Sequence, residues 1–210
     1  ITDLNSEICM KVTAPMVSLN CNGHKIVGRG KAGIYSDKPM IFISNCILEG
    51  WDRGIDYEGS DRGIMKNVTI SSCKTGIYLS SSSNQAIINS TIKGNDLGLH
   101  LSFSSGNRIY NNLFNNTNNV KIIGNYTHYW NTTMKKGNRI YSNGTYIGGN
   151  YWAKPDGSGY SEICSDSNTD GFCDLAYNLS QNNVDYLPLS NKYTPDLTPP
   201  KIKIISPKDN

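Results

Sequence analysis

The chain has 210 residues, 37% hydrophobic and 18% charged, with a formal charge of +3. No Lys/Arg cluster concentrates that charge, which argues against a nucleic-acid partner. No apolar run approaches the roughly 18 residues that a membrane span requires.

Residues 1 to about 30 read as a first coil, in which VSLNCNGHKIVG alternates apolar residues before a turn. The chain begins at Ile1 without a Met or a charged-then-apolar leader, so it is expected to be a mature or trimmed product. An open solenoid end exposes strand edges that need cover. Cys9 and Cys21 sit on adjacent segments of this turn and are expected to close it as a disulfide. Six cysteines in so polar a chain favour an oxidising compartment.

From there a 22-residue period takes over, marked by Asn45, Asn67, Asn89 and Asn111. Ile43, Met65, Ile87 and Ile109 stand two before each Asn, and Leu48, Ile70, Ile92 and Phe114 three after. Gly54, Gly76 and Gly98 follow nine after, each with an aliphatic residue next to it. A period of about 20 to 30 residues means a solenoid. Apolar spacing of two, in pieces too short for a helix, makes each unit a coil of short strands. The expected fold is all-β: a right-handed parallel β-helix of about six coils over residues 1–150. The Asn column is expected to face inward and satisfy backbone groups at a corner. Asn67 and Asn89 head Asn-x-Ser/Thr sequons but are assigned to that ladder. Cys46 and Cys73 fall about five positions out of column and are expected to be separate buried thiols.

After Asn111 the frame drifts. NYTHYWNTTMKK reads as an insertion, and the second GNRIY, at 137–141, as the pattern resuming. Sequons at Asn115, Asn125, Asn131 and Asn143 lie in what reads as an exposed excursion, and glycans are expected there.

Residues 151–190 lose the repeat and are expected to cap the coil. Asp166, Asn168, Asp170, Gly171 and Asp174 give D-x-N-x-D-G-x-x-D. With the Phe172 carbonyl, that spacing suits structural Ca2+, although Tyr177 replaces the Glu that ends an EF-hand loop. Cys164 and Cys173 bracket the loop and are expected to bond. Residues 191–210 are Pro-rich, then strand-like, and are expected to be a linker opening a further domain.

The repeat, LNCNGHKIVG, and above all GGNYWAKPDG, CSDSNTDGFCD and NNVDYLPLS resemble the NosD-like branch of right-handed parallel β-helix proteins, abundant as archaeal cell-surface proteins. The resemblance covers residues 9 to about 190 and implies export. The copper label of that family is not carried over, because His24, His100 and His128 are scattered and the five Met form no cluster. The expected function is a non-enzymatic, glycosylated, extracellular surface module, part of an S-layer, sheath or filament, with other surface subunits or glycans as partners. The alternative is a carbohydrate-binding or lyase/epimerase-like β-helix. The 22-residue frame stacks Asp56, Tyr78 and His100 in one outward column and Asp52, Lys74 and Asp96 in another, with Trp51 near by; catalysis would need a base and a charge neutraliser converging there.

Overall fold

The computed structural model describes residues 2–3 and 7–194, the first two in backbone only. Three parallel sheets form the sides of a solenoid. Sheet A stacks seven strands, Thr2–Asp3, Lys25–Gly28, Ile47–Glu49, Thr69–Ser71, Thr91–Lys93, Leu113–Asn115 and Tyr151–Ala153. Sheet B stacks six, Ile8–Val12, Ala32–Ser36, Arg53–Glu58, Thr75–Ser80, Leu97–Ser102 and Asn118–Ile123. Sheet C stacks five, Ser18–Asn20, Phe42–Ser44, Ile64–Lys66, Ala86–Ile88 and Arg108–Tyr110. The shortest sheet sets the count, so the solenoid has about five complete turns.

Each strand is half-inward because side chains alternate, and equivalent rungs place like residues in register. Ile26, Leu48, Ile70, Ile92, Phe114 and Trp152 form one row on sheet A. Ile34, Ile55, Ile77 and Leu99 form another on sheet B, and Ile43, Met65, Ile87 and Ile109 a third on sheet C. All of these are essentially fully buried. The glycine column completes the packing: a Cβ at Gly76 would sit 2.6 Å from the Gly98 carbonyl oxygen and 2.8 Å from Ile92.

Two corners differ from expectation. Asn45, Asn67, Asn89 and Asn111 all adopt left-handed backbone, φ 52° to 54°, a region that asparagine tolerates better than most residues. Their amides bond side chain to side chain, Asn45 to Asn20 at 3.0 Å, Asn67 to Asn45 at 3.2 Å and Asn111 to Asn89 at 2.7 Å. This column is the turn-maker, and Asn67 is exposed. The inward task falls to other residues. Asn95 donates to Ile70 O and accepts from Cys73 N; Asn112 donates to Ile87 O and accepts from Ser90 N; Ser82 and Ser104 donate to Tyr57 O and Leu79 O.

The cysteine pairing also differs. Cys21 is bonded to Cys46, not to Cys9. Cys9 lies on sheet B whereas Cys21 follows a sheet C strand, so the two are on different sides of the coil. The corner from Asn20 to Lys25 is two residues longer than its counterpart from Ser44 to Ile47, and Cys21 and Cys46 lie in these two stacked corners. Cys73 stays a buried thiol, pushed up to about 11 by burial.

Beyond Ile123 the regular rungs end, although Tyr129 still pairs in parallel with Arg108 of sheet C and Tyr151–Ala153 adds the last strand of sheet A. The second GNRIY is no rung: Arg139 instead donates to the Tyr146, Gly171 and Asp170 carbonyls. The Tyr129 rung turns Trp130 into the core end, 5.7 Å from Trp152, which stacks on Phe114 at 4.8 Å and meets Tyr177 at 5.2 Å. An antiparallel hairpin, Tyr177–Ser180 with Asn183–Asp185, lies over this aromatic plug. Asp185, fully buried, accepts from Asn150 N, Trp152 Nε1 and Leu187 N. The expected linker and further domain lie, from residue 195 on, outside the described residues.

Candidate functional site

On the outer face of sheet B, one residue from every rung falls into a single column: Lys11, Tyr35, Asp56, Tyr78, His100 and Lys121. Their neighbours Ile55, Tyr57, Ile77 and Leu79 are buried inward, which forces this set outward. Six rungs at about 4.8 Å make a strip of about 24 Å.

Arg53 organises its middle. Its guanidinium lies over the Tyr78 ring, 3.8 Å from the centroid, and reaches Asp56 at 2.9 Å and Glu58 at 3.4 Å. Tyr35 donates to Glu58 at 3.3 Å, and Lys11 and Lys31 stand 5.7 and 5.8 Å from the Tyr35 ring. His100 meets Tyr78 edge-on at 4.9 Å. Burial raises the Asp56 pKa, against the pull of Arg53. Burial, then Lys121 and Arg53, hold His100 below the usual histidine range, and its Nε2 has no hydrogen-bond partner. The strip therefore offers aromatic rings, four cations, the Glu58 carboxylate and a neutral imidazole, with Asp56 fully buried beneath Arg53.

The residues expected here divide. Asp56, Tyr78 and His100 converge as the repeat implied. Asp52 and Asp96 stand at the preceding corner, where Lys74 bonds Asp52 at 2.7 Å. Trp51 is not on the face: it is 1% exposed and donates to the Ile26 carbonyl at 3.1 Å. Tyr35 and Lys121 were missed because each stands 21 rather than 22 residues from its neighbour in the column.

The expected calcium loop is a correction. No group of three or more His, Cys, Asp or Glu able to hold a metal occurs among the described residues. The loop's side chains serve its own backbone: Asp166 accepts from Gly171 N, Asn168 from Asp170 N, Asp170 from Phe172 N, and Asp174 from Ser167 N and Oγ. Such Asx-type turns give the same spacing without an ion. Positive charge at the loop comes from Lys192, which donates to the Cys164 carbonyl, and from Arg139, whose guanidinium caps the Asp170 and Gly171 carbonyls and lies 4.4 Å from the Phe172 ring. Cys164 and Cys173 are bonded and close the loop.

Of the expected glycan acceptors, Asn125 and Asn143 are exposed and Asn131 is half-buried. Asn115 is not in the excursion at all but pairs with Lys93 and Ala153 in sheet A.

The family model described as "Periplasmic copper-binding protein (NosD)" matches residues 19–157. No curated protein matches the chain, and no solved structure does. That description names copper, a further finding against calcium, yet among the described residues no group of three or more His, Cys, Asp or Glu stands together to hold it. His24 is at the first coil, where it shares a cavity with Met10, His100 is on the sheet B face and His128 on the rung that follows Arg108–Tyr110; Cys21, Cys46, Cys164 and Cys173 are consumed in disulfides. Two disulfides fit an exported, oxidising location, and no helix among the described residues is long and apolar enough to cross a membrane. With about two-thirds of its length matched, the chain belongs to the NosD family of parallel β-helix proteins.

Proposed function

We propose that this protein is an exported module that binds an acidic polysaccharide along the outer face of sheet B. One observation supports the reading above others: the continuous column from Lys11 to Lys121, in which Tyr35, Tyr78 and His100 supply rings and Lys11 and Lys121, with Arg53 and Lys31 beside them, supply positive charge. Rings present flat apolar faces to sugars, and cations supply charge complementarity to carboxylates. A straight strip of stacked rungs suits a linear polymer. This ranks ahead of a role in an S-layer, sheath or filament, for which no surface of comparable definition stands among the described residues. Surface exposure of Asn125 and Asn143 is compatible with a glycosylated protein outside the cell. The test is retention on immobilised polygalacturonate, alginate and neutral glucan. Binding to the acidic polymers should weaken with salt and fall at least tenfold in Arg53→Ala; equal retention on neutral glucan, or an Arg53→Ala protein that binds as wild type, would remove the reading.

A second reading, turnover, rests on the neutral His100 and its unpartnered Nε2 beside Arg53 and Lys121. In β-elimination a base takes the proton next to the uronate carboxylate, a cation stabilises the enolate, and a C=C bond forms as the C–O bond to the leaving sugar breaks, that oxygen taking up a proton from water. Absorbance of the unsaturated product detects it.

A further inference from the structure

The outer face of sheet C ends in a group of side chains that the sheet B strip does not use. In the strand Arg108–Tyr110, Ile109 is buried, so alternation turns Arg108 and Tyr110 outward together. Tyr129 pairs in parallel with Arg108, its backbone donating to Asn107 O and accepting from Ile109 N, and so continues the Arg108 column by one rung. Its side chain is 56% exposed. Lys135 belongs to a short strand, Lys135–Lys136, that pairs with Tyr146–Ile147, and its ammonium stands 5.5 Å from the centroid of the Tyr110 ring.

These four side chains, with Asn131 and Thr132, line a cavity of about 530 Å³, a size that suits a small ligand. No Asp or Glu lines it, and among the described residues neither Arg108 nor Lys135 forms an ion pair. Asn131 holds the wall, donating to Thr132 O and accepting from Tyr186 N. Two uncompensated cations favour an anion: a guanidinium forks onto a carboxylate or sulfate, and an ammonium adds a point charge. An exposed tyrosine ring beside them suits the flat apolar side of a sugar.

We propose that this cavity binds a single sugar unit carrying a negative substituent, carboxylate or sulfate, with Arg108 and Lys135 on the anion and Tyr129 against the sugar ring. The cavity lies on a different face from the sheet B strip and shares no residue with it, so the two sites stand or fall separately.

The experiment titrates the whole chain, made in a host that adds no N-glycans so that Asn131 carries none, with a galacturonate dimer, a monosulfated galactose dimer and lactose. Amide chemical shifts report the binding. At least one acidic dimer should shift the amides of Arg108–Tyr110 and Tyr129, and lactose should not. Affinity read from those amides should weaken as salt rises, fall by about tenfold or more in Arg108→Ala and in Lys135→Gln, and stay unchanged in Arg53→Ala. Arg108 and Lys135 are both exposed, so neither variant disturbs the core. Which dimer binds identifies the substituent. If neither acidic dimer moves those amides, if lactose moves them equally, or if either variant binds as wild type, the proposal is overturned. Shifts confined to the sheet B strands overturn it while leaving the strip in place.

Discussion

Asp185 shows how far one side chain can organise the cap. It is the buried point where the hairpin meets the last rung, and its carboxylate takes up the Asn150 and Leu187 amides and the Trp152 indole N–H. Those donors favour the charged form, but burial prevails and raises the pKa from 3.8 to about 7. A raised acid stabilises the fold below its unfolded pKa and loses that contribution as pH rises through the folded one. Denaturation midpoints of wild type should therefore fall relative to Asp185→Asn between about pH 4 and 7; parallel curves would show that Asp185 does not titrate there. Gly76 is a residue-scale test of the packing. With no space between Gly98 O and Ile92, Gly76→Ala should cost about 1–3 kcal/mol, read from urea midpoints.

At the scale of the elements, the buried corner amides carry the regularity that the apolar rows cannot. Each satisfies backbone groups that the bend leaves between sheets. Asn95→Ala orphans Ile70 O and Cys73 N inside the coil, and should destabilise by about 1–3 kcal/mol. Asn67→Ala, at an exposed corner, should cost less in the same chemical denaturation; the reverse order would invalidate this division of labour. Much of the solenoid was legible in the sequence because Ile43, Met65, Ile87 and Ile109 repeat one spacing, and stacking makes spacing into contact. What was not legible lay where that spacing slips: the longer first corner in which Cys21 meets Cys46, the one-residue offsets that hid Tyr35, Lys121 and the Tyr129 rung with its inward Trp130, and the excursion whose Arg139 takes its place from the cap. The acidic loop misled for a different reason. Carboxylates alternating with Gly and Ser satisfy their own amides as readily as a cation, and only coordinates show which they do.

For the whole molecule, a disulfide and a first coil at one end and an aromatic plug with a covering hairpin at the other hold five turns in register. The consequence is one flat, unbroken outer face on sheet B. Its central residues sit on six-residue strands with buried flanking rows, so the ligand-facing groups are fixed before any polymer arrives, which limits the ordering cost of binding.

The most direct measurement is a residue-by-residue amide chemical-shift map of the protein titrated with a galacturonate oligomer. The account predicts that the perturbed amides cluster on Arg53–Glu58, Thr75–Ser80 and Leu97–Ser102. Shifts confined to sheets A and C, or none at millimolar oligomer, would contradict it.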